Sequence, residues 1–599
     1  MADLAPHLSR RLTRLDPQNV LTVAILSFAG GCIAWPLLRA QWLPWVDYPQ
    51  HLGTIAAIHG QHQAAWSSYF TVDLFRTQYL AFYLLSHWLS YIFDVETATR
   101  LVATAGLASL PLAVGIWLRS HGRPAILGAL VAPVALNSFA FWGFINYCSA
   151  MPLALLALAA HAWLVRRPSA KPAWVFAFLA TAVFYMHAQL YAWLAIACAV
   201  QTVAMRPSFG WRHALSGLWR ALIAAIPSVL AVLYWVKRSA VLQRGMDGGR
   251  AGVAQGVAEG QAQFQPVADT LHQWQSHGLD VYRGHEDDHL AILFYFAIFL
   301  LIALRGTWQR PPVPPEPEQG LAPELTPTTY GPEAVLACTI ALYLFAPNSY
   351  KLIAPINDRF LPLALAMLPA LGPLAKLPGR VMLAISLIAI GIGIKTAQVH
   401  DQAMQQTDQE VGNLGDVLQH ALPGKRLLGL IYDRDSAQTF QPTWLHLHQY
   451  YQARNGGSAS FGFAEFTISP VQYRRGTEPP PFPPRFEWTP ERFDYATYKD
   501  YFDYYLVRRA PGPAGPDLEA PRRLLEGRQA DPSQRVQLGF YRGTLGDAPH
   551  LVFENAHWSL WSRATPAALG PAVATPAAAI PVDVPTVASP STALPAAKP

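Results

Sequence analysis

The chain has 599 residues, of which 52% are apolar and only 14% charged, with a mean hydropathy of +0.18. Soluble proteins average about 25% charged residues, so this composition excludes a string of soluble domains and indicates a polytopic membrane protein. The 51 prolines exclude an uninterrupted helical bundle, and a net charge of +6 fits basic residues on one side of a membrane rather than a nucleic-acid footprint, so no nucleic-acid partner is expected.

Arg10, Arg11 and Arg14 precede an apolar run at 20–38. The run is long enough to span and more spans follow, so it reads as an uncleaved first helix with a cytoplasmic N-terminus. Further apolar runs occur at 101–118, 124–139, 147–165, 172–185, 190–205, 221–236, 290–304, 334–345, 360–374 and 381–394. The stretch 79–93 is ambiguous between a span and a helix lying flat in the interface. Five basic clusters decide it: Arg119/Arg123, Arg166/Arg167/Lys171, Arg206/Arg212/Arg220, Arg305/Arg310 and Lys376/Arg380. If 79–93 crosses, every cluster lands outside; if it lies flat, all five land inside, as the positive-inside rule demands. The expectation is therefore an α-helical polytopic membrane protein with eleven spans, located in the cell (inner) membrane, with its C-terminal part outside.

The transmembrane domain is predicted over 1–396, with large external loops at 41–99 and 237–289 and a cytoplasmic proline-rich linker at 306–333. Within the second loop, 245–260 is glycine-rich and reads as flexible. A small external α/β domain is expected over 397–563, with a helix at 407–420 and strands at 426–433, 502–509, 536–543 and 550–554. The tail 564–599 is mostly alanine, proline, valine and threonine, and such a segment cannot bury enough apolar surface to offset chain entropy, so it reads as disordered. Cys32, Cys148, Cys198 and Cys338 all sit in apolar runs, without disulfide or zinc spacing.

Four places carry candidate chemistry. In the first loop, Asp47 and His51 stand four residues apart, which places them on one face of a helix. Together they suit a general base or a metal ligand pair. Asp47 followed by Gln50, with Pro49 in the first turn and Gly60 at the end, also reads as a capping box. His187 lies at a turn between two short spans, where a histidine is either functional or satisfied at the wet membrane edge. Arg359 follows Asn357 and Asp358 at the external start of a span, against the positive-inside pattern. Its guanidinium suits bidentate phosphate binding; the alternative is snorkelling, with Asn357 or Asp358 as helix cap. Glu286, Asp287 and Asp288, flanked by His285 and His289, could hold a divalent cation or simply favour a helix N-terminus.

Taken together, Asp47 within 45–52, the flat helix 79–93 with the following 94–100, and Asp358-Arg359-Phe360-Leu361-Pro362 resemble the GT-C superfamily of polyprenyl-phosphate-sugar-dependent membrane glycosyltransferases. That superfamily includes protein O-mannosyltransferases and bacterial aminoarabinose transferases. The resemblance covers most of 1–400. It implies a polyprenyl-phosphate-linked sugar as donor, bound in contact with membrane lipid. The donor phosphate would lie near Arg359, with Asp358 and His187 in the substrate site, and Asp47, with His51, would act on the acceptor hydroxyl. It also implies a C-terminal domain that helps select the acceptor. The chain departs from the family pattern in one place. The family's second acid has no counterpart in 137–148. Asp47 would then act without metal, or Glu286, Asp287 and Asp288 would supply a site for magnesium or manganese, or the chain would be an inactive relative. A lipid-linked glycan transporter and a non-catalytic membrane scaffold are the alternatives. Convergence of Asp47 and Arg359 on one cavity separates the enzyme from both.

Overall fold

The structure, a computed structural model, describes residues 17–238, 262–307, 330–350, 354–374, 377–466, 468–508 and 549–564. The strand expected at 536–543, the glycine-rich 245–260, all but the ends of the linker, and the tail beyond Ala564 lie outside the described residues.

The chain is a mostly helical, multi-pass membrane protein carrying a small sheet domain near its C-terminus. Among the described residues, six helices are long and apolar enough to cross a membrane: Pro17–Arg39, Val95–Ser120, Ile145–Arg166, Ala188–Arg206, Glu286–Arg305 and Gly379–Val411. The pair Trp211–Ala224 and Ile226–Arg238, bent by 46°, makes a seventh if counted as one span. Apolar residues are left exposed at helical spacing, as at Ile292, Phe296 and Phe299, at Leu383 and Leu387, and at Trp174 and Phe178. Such stripes are what a lipid-facing helix presents.

The expected eleven spans are not all of this length. The run 124–139 folds as a 3-10 turn, Ala125–Val131, and a single helical turn, Ala132–Ala135, all buried. Phe360–Met367 is likewise short and buried throughout. Prolines 124, 133, 362 and 369 interrupt these runs. Their apolarity serves contacts inside the protein rather than with lipid. The helix within 79–93 is Leu80–Leu89. At about 15 Å it is too short to span, and Trp88, Tyr91, Ile92 and Phe93 leave large apolar surfaces exposed.

Helix Gly379–Val411 runs unbroken through the boundary expected at 396/397 and carries the bundle into the C-terminal domain. It ends before the short helix Leu414–Gln419, so the helix expected at 407–420 is two helices separated by Gly412, whose φ is +64°. The domain is built on a five-stranded sheet in the order Ser458–Ala459, Arg426–Ile431, Tyr504–Arg508, Trp558–Ser562, His550–Glu554. The first three strands are parallel and the last two join antiparallel. Strand Trp558–Ser562 escaped the sequence reading, because two serines interrupt its apolar pattern.

Side chains of the central strands alternate between two cores. Leu427, Ile431, Tyr504, Leu506, Trp558 and Leu560 join the large core that continues into the bundle. Leu428, Leu430, Tyr505, Val507 and Trp561 pack with Phe486, Phe493, Tyr498 and Phe502 on the other face.

The domain is stitched to both large loops. Phe70–Val72 pairs antiparallel with Val471–Tyr473, and Tyr282 bridges Thr439. Asp408 accepts both the Gln41 and Trp42 amides at 2.7 Å. Gln452 Nε2 donates to the Gly53 carbonyl at 3.0 Å, and Arg454 reaches Glu96 at 2.8 Å.

Candidate active site

Asp47 precedes helix Tyr48–His59, with Pro49 setting its first turn. The peptide around it is pinned from behind: the Val46 amide donates to Phe141 O at 3.0 Å and the Asp47 amide to Trp142 O at 3.3 Å. Gly143 allows this approach. Its φ is +86°, and a Cβ there would lie 2.5 Å from the Asp47 amide nitrogen, so any side chain would be strained and would collide. Segment 137–148 thus serves as a backbone platform for Asp47.

The capping box is not formed. The Asp47 side chain makes no cap hydrogen bond, and Gln50 Nε2 donates instead to the Phe461 carbonyl of the C-terminal domain. The carboxylate turns to His446, whose Nδ1 lies 3.3 Å from Asp47 Oδ1. No other partner engages the Asp47 side chain among the described residues.

Asp47, His51, His187 and Arg359 line one cavity of about 320 Å3. Tyr79 and Tyr83 enter it from the short helix region, Phe144, Asn146 and Tyr147 from the start of helix Ile145–Arg166, and residues from Phe463 to Pro470 close it from the C-terminal domain. His51 Nδ1 is 3.0 Å from the Tyr83 hydroxyl. Burial holds its pKa down at about 4, so the ring is neutral at physiological pH and is no cationic partner for Asp47. His187 is buried against Tyr79 and Tyr147, with ring centroids 5.4 and 5.2 Å away.

Arg359 is only 9% exposed and forms no ion pair with a carboxylate among the described residues. Nη1 donates to Gln189 Oε1 at 3.3 Å, and the guanidinium lies 4.6 Å over the Phe144 ring. Its Nε is buried without a hydrogen-bond partner. The Tyr147 hydroxyl donates to the Arg359 carbonyl, holding the backbone in place. A buried cation with a free donor, facing a cavity, is arranged for an anion.

Asp358 points elsewhere. It accepts from Asn348 Nδ2 at 3.2 Å, lies 3.5 Å from His277 Nδ1, and lines a separate cavity of about 720 Å3. Phe144 and Ala354 line both cavities. Neither Asn357 nor Asp358 caps the following helix, whose N-cap position is Arg359 itself.

Glu286, Asp287 and Asp288 do not reach the Asp47 cavity. Asp287 Oδ2 accepts the Val281 and Tyr282 amides at 2.7 and 2.9 Å, and Asp288 accepts from Gln275 Nε2 at 2.7 Å. Glu286 is exposed. The acids whose ligand atoms gather within 4.8 Å are Asp280, Asp287 and Asp288, close enough together to share a cation, while Asp287 and Asp288 also order the loop ahead of helix Glu286–Thr307. The Asp47 cavity offers one carboxylate, and its His51 nitrogen Nδ1 already faces Tyr83, so its residues do not form a three-ligand cation set.

The sequence reading missed the groups behind Asp47. His446 Nε2 lies 3.5 Å from Glu487 Oε2. Burial would lower the His446 pKa, but hydrogen bonds and charge from Asp47 and Glu487 outweigh it and push it up to about 9. Glu487, although burial raises it, is held below the usual carboxylate range by His446. Glu465 accepts the Phe461 amide at 2.7 Å and is pushed up by burial to about 7. The available signal was the alternation Trp444-Leu-His446-Leu-His448 in a charge-poor chain.

The fold and this cavity define a class: a helical multi-pass membrane protein whose loops and C-terminal sheet domain enclose a polar site holding one acid and one buried arginine. No family model matches the chain, and no curated protein matches it. Among solved structures it is similar to the crystal structure of ArnT from Cupriavidus metallidurans in the apo state, with a TM-score of 0.49 and 10% identity, covering 91% of this chain and 97% of that one. It is similar also to ArnT from the same organism bound to undecaprenyl phosphate, again with a TM-score of 0.49 and 10% identity, covering 93% and 99%.

Proposed function

We propose that this chain is an integral membrane glycosyltransferase that moves a sugar from a polyprenyl-phosphate donor to an extracytoplasmic acceptor. The observation that carries this reading is the meeting of Asp47 and Arg359 in one cavity. They come from opposite ends of the membrane domain's sequence, and neither spends its charge on the other. The donor phosphate binds at the Arg359 guanidinium, with Tyr79, Tyr147 and His187 as neighbours. The acceptor hydroxyl approaches Asp47. Its oxygen bonds to the anomeric carbon as the bond from that carbon to the phosphate oxygen breaks. The electron pair leaves with the polyprenyl phosphate, stabilised by the guanidinium, and the hydroxyl proton passes to the Asp47 carboxylate. Asp47 and Arg359 thus handle the proton and the leaving group respectively. The site side faces away from the cytoplasm and the N-terminus faces it, in keeping with the basic clusters.

A transporter needs its polar groups along the bundle interior. His121, His161, Gln201 and Thr202 are buried between helices, but they hydrogen-bond with one another, Gln201 Nε2 reaching His161 Nδ1 at 2.8 Å and Oε1 lying 3.0 Å from His121 Nε2. They do not line the Asp47 cavity. A scaffold offers no reason for a buried arginine whose Nε lacks a hydrogen-bond partner at the wall of a cavity.

The test is polyprenyl-phosphate binding to the purified full chain, compared with Arg359→Lys. Lysine keeps the charge and loses the planar fork. Binding weaker by tenfold or more, about 1.4 kcal/mol, with unchanged expression, is expected. Equal binding would remove Arg359 from the donor site.

A further inference from the structure

We propose that His446 is a positioning residue for Asp47: an imidazolium carried by the C-terminal domain, clamped between Asp47 and Glu487, that fixes one oxygen of the catalytic carboxylate. The inference rests on the reading of Asp47 as the base. His446 is 5% exposed and does not line the cavity, so it acts through Asp47 and not on substrate.

The geometry favours a cation, with a carboxylate within 3.5 Å of each ring nitrogen. Nδ1 faces two acceptors, Val46 O at 3.1 Å and Asp47 Oδ1 at 3.3 Å, while Nε2 faces Glu487 Oε2 at 3.5 Å. A neutral ring has one N–H, so its other nitrogen would point a lone pair at an oxygen. The doubly protonated ring presents an N–H and a positive charge to both carboxylates, although Nε2 forms no hydrogen bond at 3.5 Å.

The clamp is held by elements from both parts of the molecule. Asp47 is anchored on the 141–143 platform. Glu487 sits in the turn Phe486–Trp488 and accepts Trp488 Nε1 at 2.9 Å. The segment carrying His446 runs into helix Gln449–Asn455, which lies against helix Tyr48–His59. A Cβ on Gly53 would come within 2.9 Å of Gln449 Oε1, a measure of how tightly the two helices meet. The other ionisable neighbours are Glu465, from the turn Phe463–Glu465, and His448, whose ring centroid is 6.4 Å away. His448 lies 2.7 Å from the Ser460 carbonyl and is held neutral by burial, its pKa near 4. The imidazolium therefore answers to carboxylates alone, and the base is fully positioned only when the C-terminal domain is docked.

The test follows His446 in the full-length protein by ring-carbon NMR of 13C-labelled histidine, assigned with His446→Asn, alongside kcat against pH. In the wild type His446 titrates near pH 9, and kcat falls on the alkaline side with the same midpoint. Glu487→Gln removes one of the two carboxylates and should move both midpoints to lower pH by about one unit, with the donor KM within twofold. His446→Asn keeps the donor toward Asp47 but not the charge, and should lower kcat by about 10–100-fold. If that variant fails to fold, Glu487→Gln still decides. A wild-type midpoint near the ordinary histidine value, or an alkaline limb unmoved in Glu487→Gln, overturns the proposal. A His446 titration near pH 9 in a chain that transfers no sugar supports the clamp and counts against the glycosyltransferase reading.

Discussion

Asp47 looks like a helix cap in the sequence and is not one in the structure. Its position before Pro49, three residues from Gln50, satisfies every local rule for a capping box. Tertiary contacts override them: Gln50 is drawn to Phe461 and the carboxylate to His446. Local spacing identified Asp47, His51, His187 and Arg359 as candidates, because charged and imidazole groups are conspicuous in so apolar a chain, and these four meet. Asp358 and the Glu286–Asp288 acids were equally conspicuous and go elsewhere. Adjacent positions at a helix start point in different directions, and an acid run at a helix N-terminus already has backbone partners. Gly143 tests how Asp47 is held. Gly143→Ala places a methyl group against the Asp47 amide at a positive φ, which should cost about 1–3 kcal/mol and displace the carboxylate. A fall in melting temperature with a larger fall in turnover is expected. A variant with wild-type stability and turnover would show that the platform does not hold Asp47.

At the scale of elements, the positive-inside count told a flat helix from a span at 79–93, and Leu80–Leu89 is indeed too short to cross. The runs at 125–135 and 360–367 form short, largely buried segments rather than long lipid-facing helices, because hydropathy does not distinguish lipid from core. Some of the counted arginines also have structural work. Arg123, 3% exposed, pairs with Glu333 and donates to the Ala370 carbonyl, and Arg305 reaches Glu333 at 2.7 Å. This knot ties helix Gly331–Phe345 to its neighbours. Glu333→Gln leaves two cations without their shared carboxylate, and removal of one partner of a buried pair costs about 3–5 kcal/mol. A clear drop in thermal stability in detergent is expected, with donor binding per folded molecule retained. No change in melting temperature would mean that the arginines are satisfied by other groups.

For the whole molecule, the first large loop, residues 262–289 of the second and the described part of the C-terminal domain form one body over one end of the bundle. Helix Gly379–Val411 crosses the compositional boundary without a break, and the large core extends from Ile25 to Leu560. The sequence located the domain but not its embrace of the first loop, since long-range pairings such as Phe70–Val72 with Val471–Tyr473 leave no local pattern. Single-cysteine labelling of the intact membrane should find positions in 166–171 on the cytoplasmic side and position 450 on the opposite side once the domain is loosened. Both on one side would overturn the proposed orientation.

The central claim, that Asp47 is the base of a glycosyl transfer at this cavity, is tested most directly by transfer of a labelled sugar from polyprenyl-phosphate carriers to cell-envelope acceptors. Asp47→Asn keeps the side-chain size and loses no capping bond, because none exists. His446 keeps Glu487 as a partner, so the variant should still express and fold, with some loss of thermal stability, while turnover falls on the order of 10²–10⁴-fold. Wild-type turnover in Asp47→Asn would contradict the account.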